Sequence, residues 1–352
     1  MKGVTMPIYC GVDFHSRQQH VVWCDTNDGE IWFIKLDHSR MEKVREFYAA
    51  FSGEVIVGLE ATGYSQWFED LLFELKIETR IGDAAEIRKR ARSRQKTDRR
   101  DAETILDLLL KNEFPRIYRP DAESRSILQK LRHRHRLVQL RTKAINHLHA
   151  IAISAGLSIK SKLMTMEGRQ KLNALLLSET QKQQRDQWLA LVDHLTPIIQ
   201  SIEKELAPIA QKEPRVTRLM TQPGIGLLTG LALVHTLGPI DRFANARKVT
   251  AYIGLDPLED SSGDRKRIGS ISKQGSRLVR FLLVEAAQTA ARRDPDLKRF
   301  YHRVLQRRDK PRAKVAVARQ LLVRAYILLR DEIDYAEFRR RAVKVDVARV
   351  TQ

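Results

Sequence analysis

The chain has 352 residues, 43 % of them apolar and 30 % charged, and carries a formal net charge of +20. That length allows two domains and a connecting element, and the surplus of cations favours a polyanionic partner, although membrane surfaces attract cations too. No apolar run reaches the roughly 18–20 residues that span a bilayer. The start carries no signal-peptide pattern, and two cysteines, Cys10 and Cys24, make neither a disulfide framework nor a zinc cluster. These features predict a cytoplasmic protein with no membrane partner.

The N-terminal part reads as α/β. Ile8 to Asp13, His20 to Thr26 and Glu30 to Leu36 are three short strand patterns separated by turn residues. Val55 to Glu60 is almost continuously apolar, which suits a strand covered on both faces. Ser65 to Lys76 has helical spacing, Glu78 to Gly82 reads as a fifth strand, and helix returns over Asp98 to Lys111 with Ile105, Leu108 and Leu109 as its apolar stripe. Three strands in a meander followed by alternating strands and helices describe a ribonuclease H-like layout.

From Pro120 to Lys212 strand signals vanish. Ser124 to Ile153 reads as one long basic helix, and Trp188, Leu191, Leu195, Ile198 and Ile202 recur at spacings of three and four, as in a coiled coil or an ordinary helix-packing seam. Beyond it, QPGIG (Gln222 to Gly226) precedes helical runs over Leu227 to Leu237, Ala246 to Tyr252 and Ser276 to Ala291. A polar loop, Glu259 to Gly275, separates the last two, and the sequence past Asp331 reads as a charged, frayed tail.

Four acids stand out. Asp13 and Glu60 end the first and fourth strands, where an open sheet directs side chains into one crevice. Asp98 and Asp101 lie three residues apart at the start of a helix, on one face. Such a cage of oxygens suits hard divalent cations, and two ions could stabilise both the attacking and the leaving oxygen of a phosphodiester. An Asp at a strand end also caps loops, and Asp98 also fits a helix N-cap. The context favours chemistry on nucleic acid. Residues 88–100, RKRARSRQKTDRR, hold eight Lys or Arg and one acid. Arg88, Lys89, Arg90, Arg92, Arg94 and Lys96 are therefore candidate phosphate contacts, a solvated basic face being the alternative.

The loop EDSSGDRKRIGSISKQG offers Ser261 and Ser262 before Gly263, with Arg265, Lys266, Arg267 and Lys273 close behind. A serine becomes a nucleophile when a base or metal activates it, and the cations can hold a phosphate as its charge develops. Ser-Ser-Gly is also common turn chemistry. The histidine pairs His133/His135 and His147/His149 read as phosphate-facing or solvated positions on the basic helix.

The order GVDFHS, GLEATGY, KTDRRDA, QPGIG, RFANARKVTAYIGLDP, SSG and SISKQGSRLVR resembles the DEDD transposases of bridge-RNA-encoding insertion sequences, over about residues 7 to 330. The resemblance implies a RuvC-like domain over 1–118, a helical coiled-coil connector over 119–213, a mainly helical transposase domain over 214–335 and a charged tail over 336–352. It implies Asp13, Glu60, Asp98 and Asp101 as a catalytic tetrad for Mg²⁺, with Mn²⁺ able to substitute. It implies Ser262, which precedes Gly263 after the GLDP stretch, as a nucleophile forming a covalent phosphoserine link to DNA, with Ser261 adjacent. It further implies donor and target DNA and a noncoding bridge RNA as partners, homodimers or homotetramers with composite sites, and a cytoplasmic, nucleoid-associated location. Sequence choice is then delegated to base pairing. The main rival is a RuvC-like structure-specific endonuclease using water, which needs neither the serine nor the region around QPGIG and SKQG. An actin-like sugar kinase or ATPase and a non-catalytic nucleic-acid-binding protein are more distant alternatives.

Overall fold

Short apolar strands, buried almost continuously along β1, β2 and β4, lay down a five-stranded sheet in the order β3-β2-β1-β4-β5, formed by Ile8–Phe14 (β1), Gln18–Asp25 (β2), Ile31–Asp37 (β3), Val55–Glu60 (β4) and Glu78–Gly82 (β5). β1, β2 and β3 pair antiparallel, whereas β4 runs parallel to β1 and β5 parallel to β4. This mixed sheet is the meander-then-crossover order expected from the sequence. The computed structural model describes residues 6–90, 97–157, 162–259 and 268–341. It divides into two compact units, Met1–Arg119 and Pro120–Gln352.

In the first unit, each sheet face has its own cover. Cys10, Val12 and Phe14 of β1 point, with Val57 and Leu59 of β4, into a core closed by Met41–Ala49 (α1) and Gln66–Glu74 (α2) through Val44, Tyr48, Phe68 and Leu72. The α1 helix was not read in the sequence, although Val44 and Tyr48 lie four apart and share its buried face. Ala84–Arg90 (α3) follows β5 and contributes Ile87 to the opposite face. That face is covered mainly by Asp98–Leu110 (α4), which buries Ala102, Ile105, Leu106, Leu108 and Leu109 against Ile56, Val22 and Cys24.

The second unit is almost wholly helical. Ala122–Ser154 (α5, 33 residues) and Glu179–Lys212 (α7, 34 residues) pack together, with Met166–Asn173 (α6) between them in sequence. The buried seam of α7 runs through Val192, Leu195, Ile199 and Leu206. It therefore differs from the expected set: Leu191 is exposed and its neighbour Val192 is buried. Both strings have three-and-four spacing, so periodicity alone did not separate them. Of the histidines read as phosphate-facing or solvated, His147 is exposed and His135 half-buried, and both also make ring contacts. His147 stacks on Trp188 at 4.5 Å between centroids, and His135 packs against Phe281 at the same separation.

Pro214–Met220 (α8), Leu227–Leu237 (α9), Ala246–Ile253 (α10), Arg277–Arg293 (α11), Pro295–Leu305 (α12) and Lys310–Arg330 (α13) build the remaining core. α9 is buried all round from Thr229 to Leu237, as a central helix must be. The loop expected over Glu259 to Gly275 is in part a ribbon: Pro257–Glu259 (β6) pairs antiparallel with Ile268–Ile271 (β7). Part of the sequence read as a frayed tail, up to residue 341, is ordered. Residues 335–341 are helical, and the Tyr335 hydroxyl donates to the buried Asp294 carboxylate at 2.7 Å. Among the described residues no helix is long and apolar enough to cross a membrane.

Candidate metal centre

The α4-covered face of the sheet is written in alternate residues. On β1 it presents Tyr9, Gly11 and Asp13, on β2 Cys24, Val22 and His20, and on β4 Ile56, Gly58 and Glu60. Each row runs from apolar contacts with α4 to a polar residue at the same end of the sheet. Asp13 stands directly opposite His20 in the β1–β2 register. Glu60 lies one step beyond the Val12–Leu59 pair of β1 and β4.

Gly11 allows α4 to descend onto this row. A Cβ there would lie 2.3 Å from the Ala102 carbonyl oxygen and 2.5 Å from the Leu106 nitrogen, both backbone atoms. The close approach brings the start of α4 to the polar end of the sheet. Thr97 caps the helix, its side chain accepting from the Arg100 amide. Asp98 and Asp101 thus occupy the first turn, where the positive end of the helix dipole favours carboxylates.

Four side chains converge there. Asp13, His15, His20 and Asp98 each offer one ligand atom, all within 4.8 Å of one another. His15 Nε2 is 3.0 Å from Asp13 Oδ2 and 3.6 Å from Asp98 Oδ1. His20 Nδ1 is 3.5 Å from Asp98 Oδ2. His20 is buried, its ring stacked on Phe33 with an interplanar angle of 5°, and its Nδ1 has no hydrogen-bond partner. Burial pushes the Asp13 carboxyl above its ordinary range. The His15 charge pulls it down, the Asp101 charge pushes it up, the His15 hydrogen bond lowers it, and the Asp98 charge raises it, leaving a net upward shift. A half-buried carboxylate held among other carboxylates is electrostatically short of a cation. Two carboxylates and two imidazoles at this spacing suit a divalent ion.

Asp13 and Asp98 belong to this cluster. Asp101 is one helical turn from Asp98 and within electrostatic reach of Asp13. Glu60 faces the same end of the sheet and accepts from Arg88 Nη2 at 3.2 Å. His15 and His20 were missed in the sequence. The signal was present: a tight hairpin after Phe14 sets Asp13 against His20, and a Gly-Val-Asp-Phe-His string puts His15 two residues from the acid.

The basic candidates are placed as follows. Arg88 is exposed beside Glu60, Lys89 pairs with Glu86 at 2.6 Å, and the Arg90 guanidinium donates to the Glu113 carbonyl. Exposed pairs of this kind contribute little and exchange readily for a phosphate. Lys273 is exposed on the turn before α11. Arg92, Arg94, Lys96, Ser261, Ser262, Arg265, Lys266 and Arg267 lie outside the described residues.

QPGIG is a packing turn. Gln222 is fully buried, and its amide nitrogen lies 3.5 Å from Asp294 Oδ2.

Comparison with known proteins agrees across both units. Residues 10–153 match the DEDD-type model of IS110 transposases, described as "Transposase". Residues 216–302 match the model described as "Transposase IS116/IS110/IS902 family". The chain is similar to the transposase for insertion sequence element IS1111A of Coxiella burnetii, 28 % identical over 272 residues that cover 74 % of each chain. It is similar to a probable family 20 transposase of Pseudomonas aeruginosa, 26 % identical over 83 % of this chain and 89 % of that one. A third relative is the transposase for element IS1328 of Yersinia enterocolitica, 25 % identical over 80 % of this chain and 84 % of the relative.

Proposed function

Since the chain belongs to the IS110 family of DEDD transposases, enzymes of insertion sequences that act on DNA, we propose that it is an RNA-guided recombinase that cuts and rejoins strands through Ser262. The observation that carries the metal-dependent part is the convergence of Asp13 and Asp98 with His15 and His20 within 4.8 Å. Asp13, Glu60, Asp98 and Asp101 form the tetrad in this reading. Mg²⁺ is the expected ion, and the imidazoles make Mn²⁺ an effective substitute. When bound, the divalent ion lowers the cost of charge developing on the phosphodiester.

The residues of the chain do the rest. The carboxylates hold the charge of the site, His15 orients Asp13 through its 3.0 Å contact, and the α4 N-terminus fixes Asp98. Ser262 Oγ bonds to the DNA phosphorus as a phosphorus–oxygen bond of the strand breaks. The serine loses its proton and the departing strand leaves as a hydroxyl. Arg265, Lys266, Arg267 and Lys273 hold the phosphate, and Arg88 to Lys96 track the backbone. The phosphoserine link keeps the bond energy for rejoining. The serine assignment rests on the GLDP and SSG motifs, and guidance by a bridge RNA, with assembly into dimers or tetramers, rests on the family resemblance that the motif order carries.

The test is to trap the protein on a nicked suicide DNA substrate and digest it. Mass spectrometry is expected to find a nucleotide adduct on the peptide holding Ser261 and Ser262, and Ser262→Ala to remove it. An adduct confined to Ser261 moves the nucleophile by one residue. Efficient cleavage by Ser261→Ala/Ser262→Ala with no adduct makes water the nucleophile and the enzyme a RuvC-like endonuclease.

A further inference from the structure

One face of α5 presents Leu128, Arg132, His135, Arg136 and Gln139, at helical spacings of three and four. In the second unit this face meets Thr236 at the end of α9, Tyr252 of α10 and the first turn of α11, Ser276 to Leu278. Together they line a cleft of about 500 Å³. The turn that closes it is tightly built. A Cβ on Gly275 would lie 2.1 Å from the Tyr252 carbonyl oxygen, and Gly275 has a φ of +94°. Arg280 pins the same turn by donating to the carbonyls of Ile253, Gln274 and Gly275.

The lining is basic and holds no acid. Among the described residues neither Arg136 nor Arg277 meets a carboxylate. Two further polar atoms in the wall lack partners: His135 Nδ1 and the Thr236 hydroxyl, on a residue only 9 % exposed. Buried polar groups are rarely left without a partner unless a ligand or water supplies it. Burial, then the Arg134 and Arg277 charges, push the His135 imidazole towards its neutral form. Arg277 also crowds Arg280. Arg134 is already paired with Glu203, but Arg136 and Arg277 are cations that an anion in the cleft would neutralise. The α11 N-terminus adds its amides to the same end. The cleft also has an apolar wall of Leu128, Leu278 and Tyr252, which a bare phosphate does not need. Its volume lies in the range of small-ligand sites.

The geometry points to this cleft as a seat for one nucleotide of a single-stranded polynucleotide. Arg136, Arg277 and Arg132 take the phosphate. The base lies against Leu128, Leu278 and Tyr252, with Thr236 and His135 offering hydrogen bonds to it or to the sugar. Unpaired bases are recognised in this way, by apolar contact and edge hydrogen bonds. The inference uses only the membership in a DNA-acting family and nothing of Ser262 or the metal centre.

The test is fluorescence anisotropy of the full chain in EDTA, which silences metal-dependent cleavage, with short labelled dT and rU oligomers and an abasic strand of equal length. Arg136→Ala/Arg277→Ala is expected to weaken binding of at least one oligomer about tenfold. Its log–log salt slope falls by about 1.4, at roughly 0.7 for each lost single-strand contact. Loss on dT alone assigns the seat to DNA, loss on rU alone to RNA, and loss on both to either. Thr236→Val keeps the shape and is expected to weaken the base-bearing strand severalfold while leaving the abasic strand unchanged. Arg307→Ala/Arg308→Ala, exposed cations outside the cleft, control for charge. The inference is overturned if this control costs as much as the cleft variant, if the cleft variant binds as wild type, or if Thr236→Val affects both strands alike. Arg277→Gln replaces the double variant if the latter melts below wild type.

Discussion

His20 Nδ1 faces the Asp98 carboxylate at 3.5 Å, from the residue directly opposite Asp13 across the β1–β2 ladder. A buried imidazole with this nitrogen unpartnered is already desolvated and already aimed, so little is lost when it takes up a cation. His20→Phe keeps the stacking with Phe33 and removes the nitrogen. It is expected to weaken Mn²⁺ binding by about 10- to 100-fold, the usual cost of removing a group that holds or orients a metal ligand. Calorimetric titration reads this directly. Wild-type affinity in the variant would leave His20 as a packing residue only.

The upward shift of Asp13 makes a prediction about stability without metal. An acid whose folded value lies above its unfolded one, ordinarily about 3.9, favours the fold at low pH. That contribution is lost as pH rises through the folded value. Asp13→Asn is therefore expected to melt at or above wild type at pH 7 in EDTA, with the wild type gaining relative to it on acidification. Adding Mg²⁺ or Mn²⁺ should then raise the melting temperature of wild type and not of the variant. A variant less stable than wild type in EDTA at pH 7, and equally responsive to metal, removes Asp13 from the site.

Gly11→Ala tests the approach of α4 to the sheet. The new methyl meets two backbone atoms at 2.3 and 2.5 Å, so the helix has to move, and overpacking of this kind costs typically about 1–3 kcal/mol. Asp98 moves with the helix. Recombination is expected to fall further than the loss of stability explains, measured at a temperature where the variant stays folded. Full activity with unchanged denaturation would show that α4 does not need this contact.

The sheet and its acids were legible because their signals are local. A strand's apolar run and the acid that ends it are adjacent in sequence, and Asp98 and Asp101 share a face by spacing alone. Gly11 and His20 became meaningful only with the register that sets one strand against the next. The seam of α7 holds at Leu195, with Trp188 and Ile202 packed beside it, but Val192 and Ile199 replace Leu191 and Ile198, because such neighbours are equally apolar and only the partner helix chooses between them. The α1 helix is short and half polar, and its two buried residues acquire their role from the sheet they cover. The ribbon of β6 and β7 was hidden by polar residues, since a two-stranded edge can form with little burial.

Asp294 supplies the last prediction. It is fully buried at the start of α12, where it caps the helix by accepting from the Asp296 and Leu297 amides at 2.9 Å. It also accepts from the Arg324 guanidinium and from the Tyr335 hydroxyl at 2.7 Å. Burial pushes its carboxyl up, but the Leu297 amide, the Tyr335 hydroxyl and Arg324 together outweigh burial and hold it below the ordinary carboxylate range. The network ties the QPGIG turn, α12, α13 and the 335–341 helix to one ionised group. Asp294→Asn leaves Arg324 inside without its partner, a loss that commonly costs about 3–5 kcal/mol. The lower end is expected, because Arg324 keeps Asp296 at 3.8 Å. An acid with a lowered folded value gives stability that is present above its unfolded value and lost as pH falls through the folded one. The gap between wild type and Asp294→Asn in urea denaturation should therefore be largest near neutrality and shrink below about pH 4, the unfolded carboxylate range. A gap that stays constant down to pH 3 would mean that the carboxamide fails through shape or capping, and that the charge on Asp294 contributes nothing to holding the second unit together.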